Sequence, residues 1–121
     1  MTKLDLENFS NRIEIKYIDI LQELHLEYVD NYKGQYINFN VLKINELYRE
    51  VGFGSKILRE VCRFADKQNV RIELLPTNLF GSNVERLMNL CFKHGFINID
   101  DKMIYLPGEE NTRLPKVQIN N

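Results

Sequence analysis

Neither sign of charge predominates in this chain: sixteen basic residues stand against seventeen acidic ones, a net charge of -1. Non-specific attachment to nucleic acid or to an anionic membrane surface needs a standing positive field, and this composition does not supply one. Long apolar runs are missing too. No stretch approaches the roughly 20 residues of a membrane span, and Met-Thr-Lys-Leu-Asp does not open a signal peptide. Cysteine is scarce. Cys62 and Cys91 are the only two, they lack metal-ligand spacing, and both read as reduced, partly buried thiols on helices. There is no internal repeat and no low-complexity block. The expectation is a cytoplasmic protein without a membrane, nucleic-acid or metal partner.

What is present is ordinary globular material. An apolar share of 44% and a charged share of 27% over 121 residues suit one domain with a real core. Residues 12–17 alternate and read as a strand, although Leu4, Leu6 and Phe9 before them fit a short helix equally well. Residues 23–29 alternate again, with Leu24, Leu26 and Tyr28 on one face and Glu23, His25 and Glu27 on the other. A turn over 30–35 and a further run over 36–44 complete an antiparallel hairpin. Ile57, Leu58, Val61, Cys62 and Ala65 then form a helical stripe that ends near Asn69. A buried strand at 71–75 follows, closed by Pro76. A second helix begins at Ser82 with the capping box Ser82-x-x-Glu85, and its apolar face is Val84, Leu87, Met88 and Cys91. Gly95 suits the left-handed position past its end. Short strands near 96–99 and 102–106 close a domain spanning 1–106, and 107–121 reads as a polar, flexible tail.

Strand, glycine turn, helix and strand from 36 to 75 make a βαβ crossover, so the fold class is α/β, an α+β arrangement on a mixed sheet. Ligands of such sheets bind beyond the carboxyl ends of the strands, where "YREVGFGSK" (48–56) lies. The second helix has its own capping residues. The first has Gly52, Phe53 and Gly54 where a cap is expected, so amides from about Val51 to Lys56 are free for another acceptor. Bare amides at a helix start favour a phosphate. The dinucleotide fingerprint needs a glycine at 57, which is Ile, and the triphosphate loop needs four residues between its glycines and then Gly-Lys-Ser/Thr. Both fail on spacing.

Arg49-x-x-Gly52-x-Gly54, after a strand ending Leu42-x-Ile44 and before an amphipathic helix, resembles the acetyl-CoA signature of the GNAT N-acetyltransferases. "LMNLCFKHGF" (87–96) resembles that superfamily's second landmark, a helix ending in Gly-Phe, and "KMIYL" its closing strand. The likeness covers about 36–106. It implies a GNAT-like fold in which Val51, Gly52, Phe53, Gly54 and Ser55 grip a coenzyme A pyrophosphate, and the splayed strand at Leu42 and Ile44 offers its backbone to the pantetheine arm. Lys56 and Arg59, the start of a basic stripe that continues to Arg63, are close enough to meet a phosphate. Asn83 lies one residue out of register with the family's pantetheine-binding asparagine. The region before the hairpin is abbreviated relative to the family, which leaves a groove for a bulky acceptor or for the partner in a homodimer.

The implied reaction moves an acetyl group from acetyl-CoA to a primary amine of a protein or small molecule, by direct attack in a ternary complex. A lysine-like amine with pKa near 10.4 is neutral in only roughly one molecule per thousand at neutral pH. A general base is therefore worth up to about a thousandfold. The strand at 36–44 carries no carboxylate, which leaves Glu27, Glu46, Asp30 and His25 as candidates. A backbone N–H near Val41 or Leu42 is placed to polarise the thioester carbonyl. For the general acid, the family's tyrosine position holds Cys91, with Tyr105, Tyr48 and Tyr28 as substitutes. His94 reads as packing or as a helix-end cation. The alternative is an acyl-CoA-binding regulatory or interaction module without turnover.

Overall fold

The computed structural model describes residues 1–49, 51–77 and 84–108. Helix α1 (Lys3–Lys16) leads into the long hairpin β1 (Leu21–Asn31) and β2 (Gly34–Ile44). A single 3-10 turn (Glu46–Tyr48) precedes helix α2 (Phe53–Gln68), strand β3 (Arg71–Leu74), helix α3 (Val84–Lys93) and strands β4 (Ile97–Ile99) and β5 (Lys102–Tyr105). The five strands form one mixed sheet in the order β1-β2-β3-β5-β4. β2 and β3 are parallel neighbours, as the crossover requires, and every other pair is antiparallel.

The strand expected over 12–17 is helix instead. Leu6, Phe9 and Ile13 are buried at helical spacing along α1, and this face outweighs the short alternation of Ile13, Ile15 and Tyr17. Thr2 fixes the start: its hydroxyl accepts from the Asp5 amide, and the Asp5 carboxylate accepts from the Thr2 amide. α1 lies against α2 through a stacked pair, Phe9 and Phe64, with ring centroids 4.3 Å apart.

The anticipated stripe of α2 is the buried face, with Phe64 added. Asn69 ends the helix in the left-handed conformation, φ 56°. α3 buries Leu87 and Cys91, and Gly95 follows at φ 90° with its amide bonded to the Phe92 carbonyl. The Ser82 end of the expected capping box lies outside the described residues. On the sheet, Ile37, Phe39, Ile72, Leu74, Met103 and Tyr105 are buried in the same cluster as the helix stripes, so all three helices cover this one face. The opposite face carries Asn38, Glu73, Glu27 and their neighbours. Asp100 and Asp101, at φ 50° and 66°, make the tight turn between β4 and β5. The Gly108 amide donates to Asp66 at 2.7 Å, so the chain is tied to α2 past the expected start of the tail; 109–121 lie outside the described residues.

Glu73 is the buried acid of the sheet, held by Arg71 Nε at 2.8 Å and Lys102 Nζ at 3.1 Å. Burial works to raise its pKa, but the hydrogen bonds from Arg71 and then Lys102 outweigh it, and the carboxyl titrates below the ordinary range. A depressed pKa contributes stability that is present above the unfolded value and lost as pH falls through the folded one. Glu73→Gln is therefore expected to cost about 1–3 kcal/mol at pH 7, and the difference from wild type should shrink at pH 3. Urea denaturation at the two pH values measures both terms.

Candidate functional site

β2 and β3 pair only from Tyr36↔Arg71 to Phe39↔Leu74. β3 then stops while β2 runs on to Ile44, so the two strands part at Phe39. The next residue of β2 is irregular in its other pairing. His25 pairs with Val41 and Leu26 with Phe39, which leaves Asn40 as an extra residue in β2. A bulge bends its strand and increases the local twist. It also shifts the phase of burial from Ile37 and Phe39 to Leu42, a spacing of three that plain alternation does not give.

Beyond the parted strands lies the glycine turn. Gly52 sits at φ 93° and ψ 2°, a conformation that costs an L-residue with a Cβ roughly 1–2 kcal/mol. Among the described residues no side chain caps α2. The amides of Phe53, Gly54 and Ser55 precede the first helical bond, which runs from Lys56 N–H to the Gly52 carbonyl at 3.1 Å. Lys56 therefore drops out of the expected set of free amides, although its side chain stays exposed beside the turn. Among the described residues a Cβ built on Gly54 would meet nothing within 4 Å, so the space beside its Cα is open. The Phe53 ring packs at steep angles to Tyr48 (5.9 Å) and Tyr17 (6.5 Å), with the Lys56 ammonium 5.2 Å from its centroid. Arg49 Nε donates to the Ile44 carbonyl at 3.0 Å, which pins the loop to the end of β2 and occupies one of the backbone groups assigned to a pantetheine arm. Leu42 is buried and Val51 exposed. Asn83 lies outside the described residues.

One contact was not legible in the sequence. Ser55 Oγ and His94 Nε2 are 2.8 Å apart, joining the first turn of α2 to the residue just past α3. Burial, then the nearby Arg59 and Lys93, lower the His94 pKa, so the ring is neutral at pH 7 rather than a helix-end cation. In the Nε2–H tautomer it donates to Ser55 and frees the hydroxyl proton for an acceptor above the turn.

The other candidates divide. Glu27 lies opposite Asn38 in the hairpin and accepts from the Asn38 and Asn40 amides at 3.2 and 3.3 Å. These bonds, Asn38 first, hold its carboxyl below the ordinary range, so it is a weak base and a good counter-ion for an ammonium. Asn40 Nδ2 also lies 2.9 Å from His25 Nδ1, and with both amide protons used as donors the neutral His25 proton is on Nε2. Glu46 is exposed in the 3-10 turn, close in sequence to Arg49.

Two proposed acids are removed by their positions. Tyr105 pairs with Ile72 and donates to Asp66 at 3.0 and 3.1 Å. Asp66 is 13 residues along α2 from Phe53, about 20 Å from the glycine turn. Cys91 is fully buried, and burial pushes its thiol up to about 12. It packs in the core beside Cys62, and both thiols are free. Tyr48, by contrast, sits at the turn against Phe53.

No family model, curated protein or solved structure matches the chain. Among the described residues no helix is long and apolar enough to cross a membrane.

Proposed function

We propose that the chain binds acetyl-CoA with its pyrophosphate on the α2 turn and its pantetheine arm between the parted ends of β2 and β3, and transfers the acetyl group to a primary amine. One observation carries the reading: an uncapped helix start with open space at Gly54 follows the strand β2, whose parallel ladder with β3 ends at Phe39 and whose next residue is bulged. Each half has its own physical cause, and the pair matches the layout implied by Arg49-x-x-Gly52-x-Gly54. Amides of Phe53, Gly54 and Ser55 with the Ser55 hydroxyl supply donors for phosphate oxygens. Lys56 and Arg59 supply charge, and the order strand, glycine turn, helix, strand is the one the GNAT resemblance implies.

In this arrangement the acceptor approaches the hairpin side of the gap. Glu27 draws in a cationic amine, and the amine's proton leaves to water, because His25 carries its own proton on Nε2 and accepts from Asn40 at Nδ1. Water or Tyr48 returns a proton to the thiolate.

A specific finding favours the second reading, acyl-CoA binding without turnover: two of the four proposed acids, Cys91 and Tyr105, are committed to the core. Calorimetric titration with acetyl-CoA and with NAD, followed by thiol titration of released coenzyme A against a panel of amines, decides. Micromolar binding of acetyl-CoA alone with amine-dependent release is the expected result. Binding without release leaves the regulatory module, and no binding of acetyl-CoA ends both readings.

A further inference from the structure

We infer that the groove between α1 and α2 is a second anion site, built for a small polyphosphate, and this inference does not depend on the acetyl-CoA reading. The groove encloses about 380 Å³ on the solvent side of the Phe9–Phe64 stack. That volume falls within the range of small-molecule sites. Arg12 and Lys16 line it from α1, Arg63 and Lys67 from α2, and Glu60 is its one acid.

Glu60 does not balance the four cations. It already accepts from Lys16 Nζ at 2.9 Å and from the Tyr17 hydroxyl, so three positive charges remain in excess over the groove. The chain as a whole carries -1, so the excess is local and does not follow from composition. The spacing makes it costly. Arg12 and Lys16 are i and i+4 on one helix, Arg63 and Lys67 are i and i+4 on the other, and like charges at that separation destabilise a helix. No acid stands three or four residues from Arg12 or Lys67; their neighbours there are Asn8, Phe9, Ile15 and Lys16, and Arg63, Phe64, Val70 and Arg71. Asp66, three residues from Arg63, is turned inward to Tyr105 and Gly108. Two rows of repelling cations facing each other across a cavity are relieved by one multivalent anion between them.

The chemistry selects phosphate. Arg12 and Arg63 stand on opposite walls, and guanidinium groups present paired donors that fit phosphate oxygens, with the lysines as point charges behind them. The Arg12 guanidinium now lies 5.8 Å from the Phe9 ring centroid, a weak contact it can leave for an anion. A single phosphate engages one wall; an anion with charge at two or more points spans both. Arg63 and Lys67 lie 10 and 14 residues from Phe53, about 15–21 Å along α2, so the groove is distinct from the glycine turn.

The test is calorimetric titration of the full chain with inorganic tripolyphosphate and with orthophosphate at 0.15 M salt, about one Debye length of 8 Å. Saturable one-to-one binding is expected, at least tenfold tighter for tripolyphosphate. Arg12→Gln and Arg63→Gln should each weaken it tenfold or more, while Lys33→Gln, at the hairpin tip, leaves it unchanged. Gly54→Asp should leave the Arg12- and Arg63-dependent binding in place, whatever it does to a separate event at the glycine turn; if that variant removes all binding, the anion sits at the glycine turn and the groove assignment falls. Absent or non-saturating binding overturns the proposal outright. So does a single-stranded oligonucleotide that binds more tightly than tripolyphosphate through Arg12 and Arg63, because the occupant is then a nucleic-acid backbone. Loss of acetyl-CoA binding in Gly54→Asp with tripolyphosphate binding intact separates the two sites, and either can fail alone.

Discussion

Gly54→Asp should abolish acetyl-CoA binding and leave the fold at least as stable as before. The two halves of this result come from the same position for opposite reasons. In the free protein the new side chain has room, since a Cβ there meets nothing within 4 Å, and Gly54 is not held at positive φ. A carboxylate in the first turn of a helix is favourable by about 0.3–1 kcal/mol, and replacing a helical glycine by Asp adds at most a few tenths of a kcal/mol. The carboxylate is, in effect, the cap that α2 lacks. It therefore competes for the amides of Phe53 to Ser55 and repels a pyrophosphate from the same place. A loss of at least 100-fold in affinity, about 2.7 kcal/mol, is expected by calorimetry, with an unchanged or raised Tm. Gly54→Ala separates bulk from charge: it should stabilise the helix and weaken binding by less. Unaltered affinity in a folded Gly54→Asp protein would remove the phosphate from this turn and with it the proposed function.

How far the sequence disclosed this arrangement depends on where each contact partner sits along the chain. The glycine turn was readable because its requirement is local: Gly52 needs positive φ, and a helix start without Ser, Thr, Asp or Asn leaves amides open. The hairpin, the crossover and the stripe of α2 were readable from period alone. α1 was misread because Ile13, Ile15 and Tyr17 satisfy a two-residue period over a window too short to exclude a helix. The Thr2-x-x-Asp5 box was the local sign that would have corrected it. The bulge had no such sign: Ile37, Phe39 and Val41 alternate without a break in the sequence, and only the burial of Leu42 in place of Val41 shows it. The site's other features have no local sign. Ser55 meets His94 across 39 residues, and Asp66 captures Tyr105 across the same separation, so one link created a candidate and the other removed one. Cys91 shows the same limit: its helical position fitted a catalytic role, and its burial depends on what α2 and the sheet bring against it.

Phe39→Ala carries the largest expected loss of stability, and it tests the geometry on which the parted strands depend. Phe39 is only 1% exposed and is among the largest fully buried side chains. Truncating such a ring removes its burial and leaves a cavity that neighbours fill incompletely, a cost of roughly 3–5 kcal/mol. For a domain whose whole stability is about 5–15 kcal/mol, that is a large share, and Tm should fall by about 10–25 °C. Leu47→Ala, at a site 86% exposed, should change stability by less than about 0.5 kcal/mol. The position matters beyond its size. Phe39 makes the last β2–β3 pair with Leu74 and stands immediately before the bulged Asn40, so its ring holds β2 to the core at the point where the strand departs. Without it, the bulge is free to slide, and a one-residue slip would turn Leu42 outward. Acetyl-CoA affinity measured well below the lowered Tm should therefore fall as well, whereas Phe39→Leu, which keeps most of the volume, should retain it. A loss under 1 kcal/mol in Phe39→Ala would mean that β2 is not anchored here, and the gap between β2 and β3 would lose its physical cause.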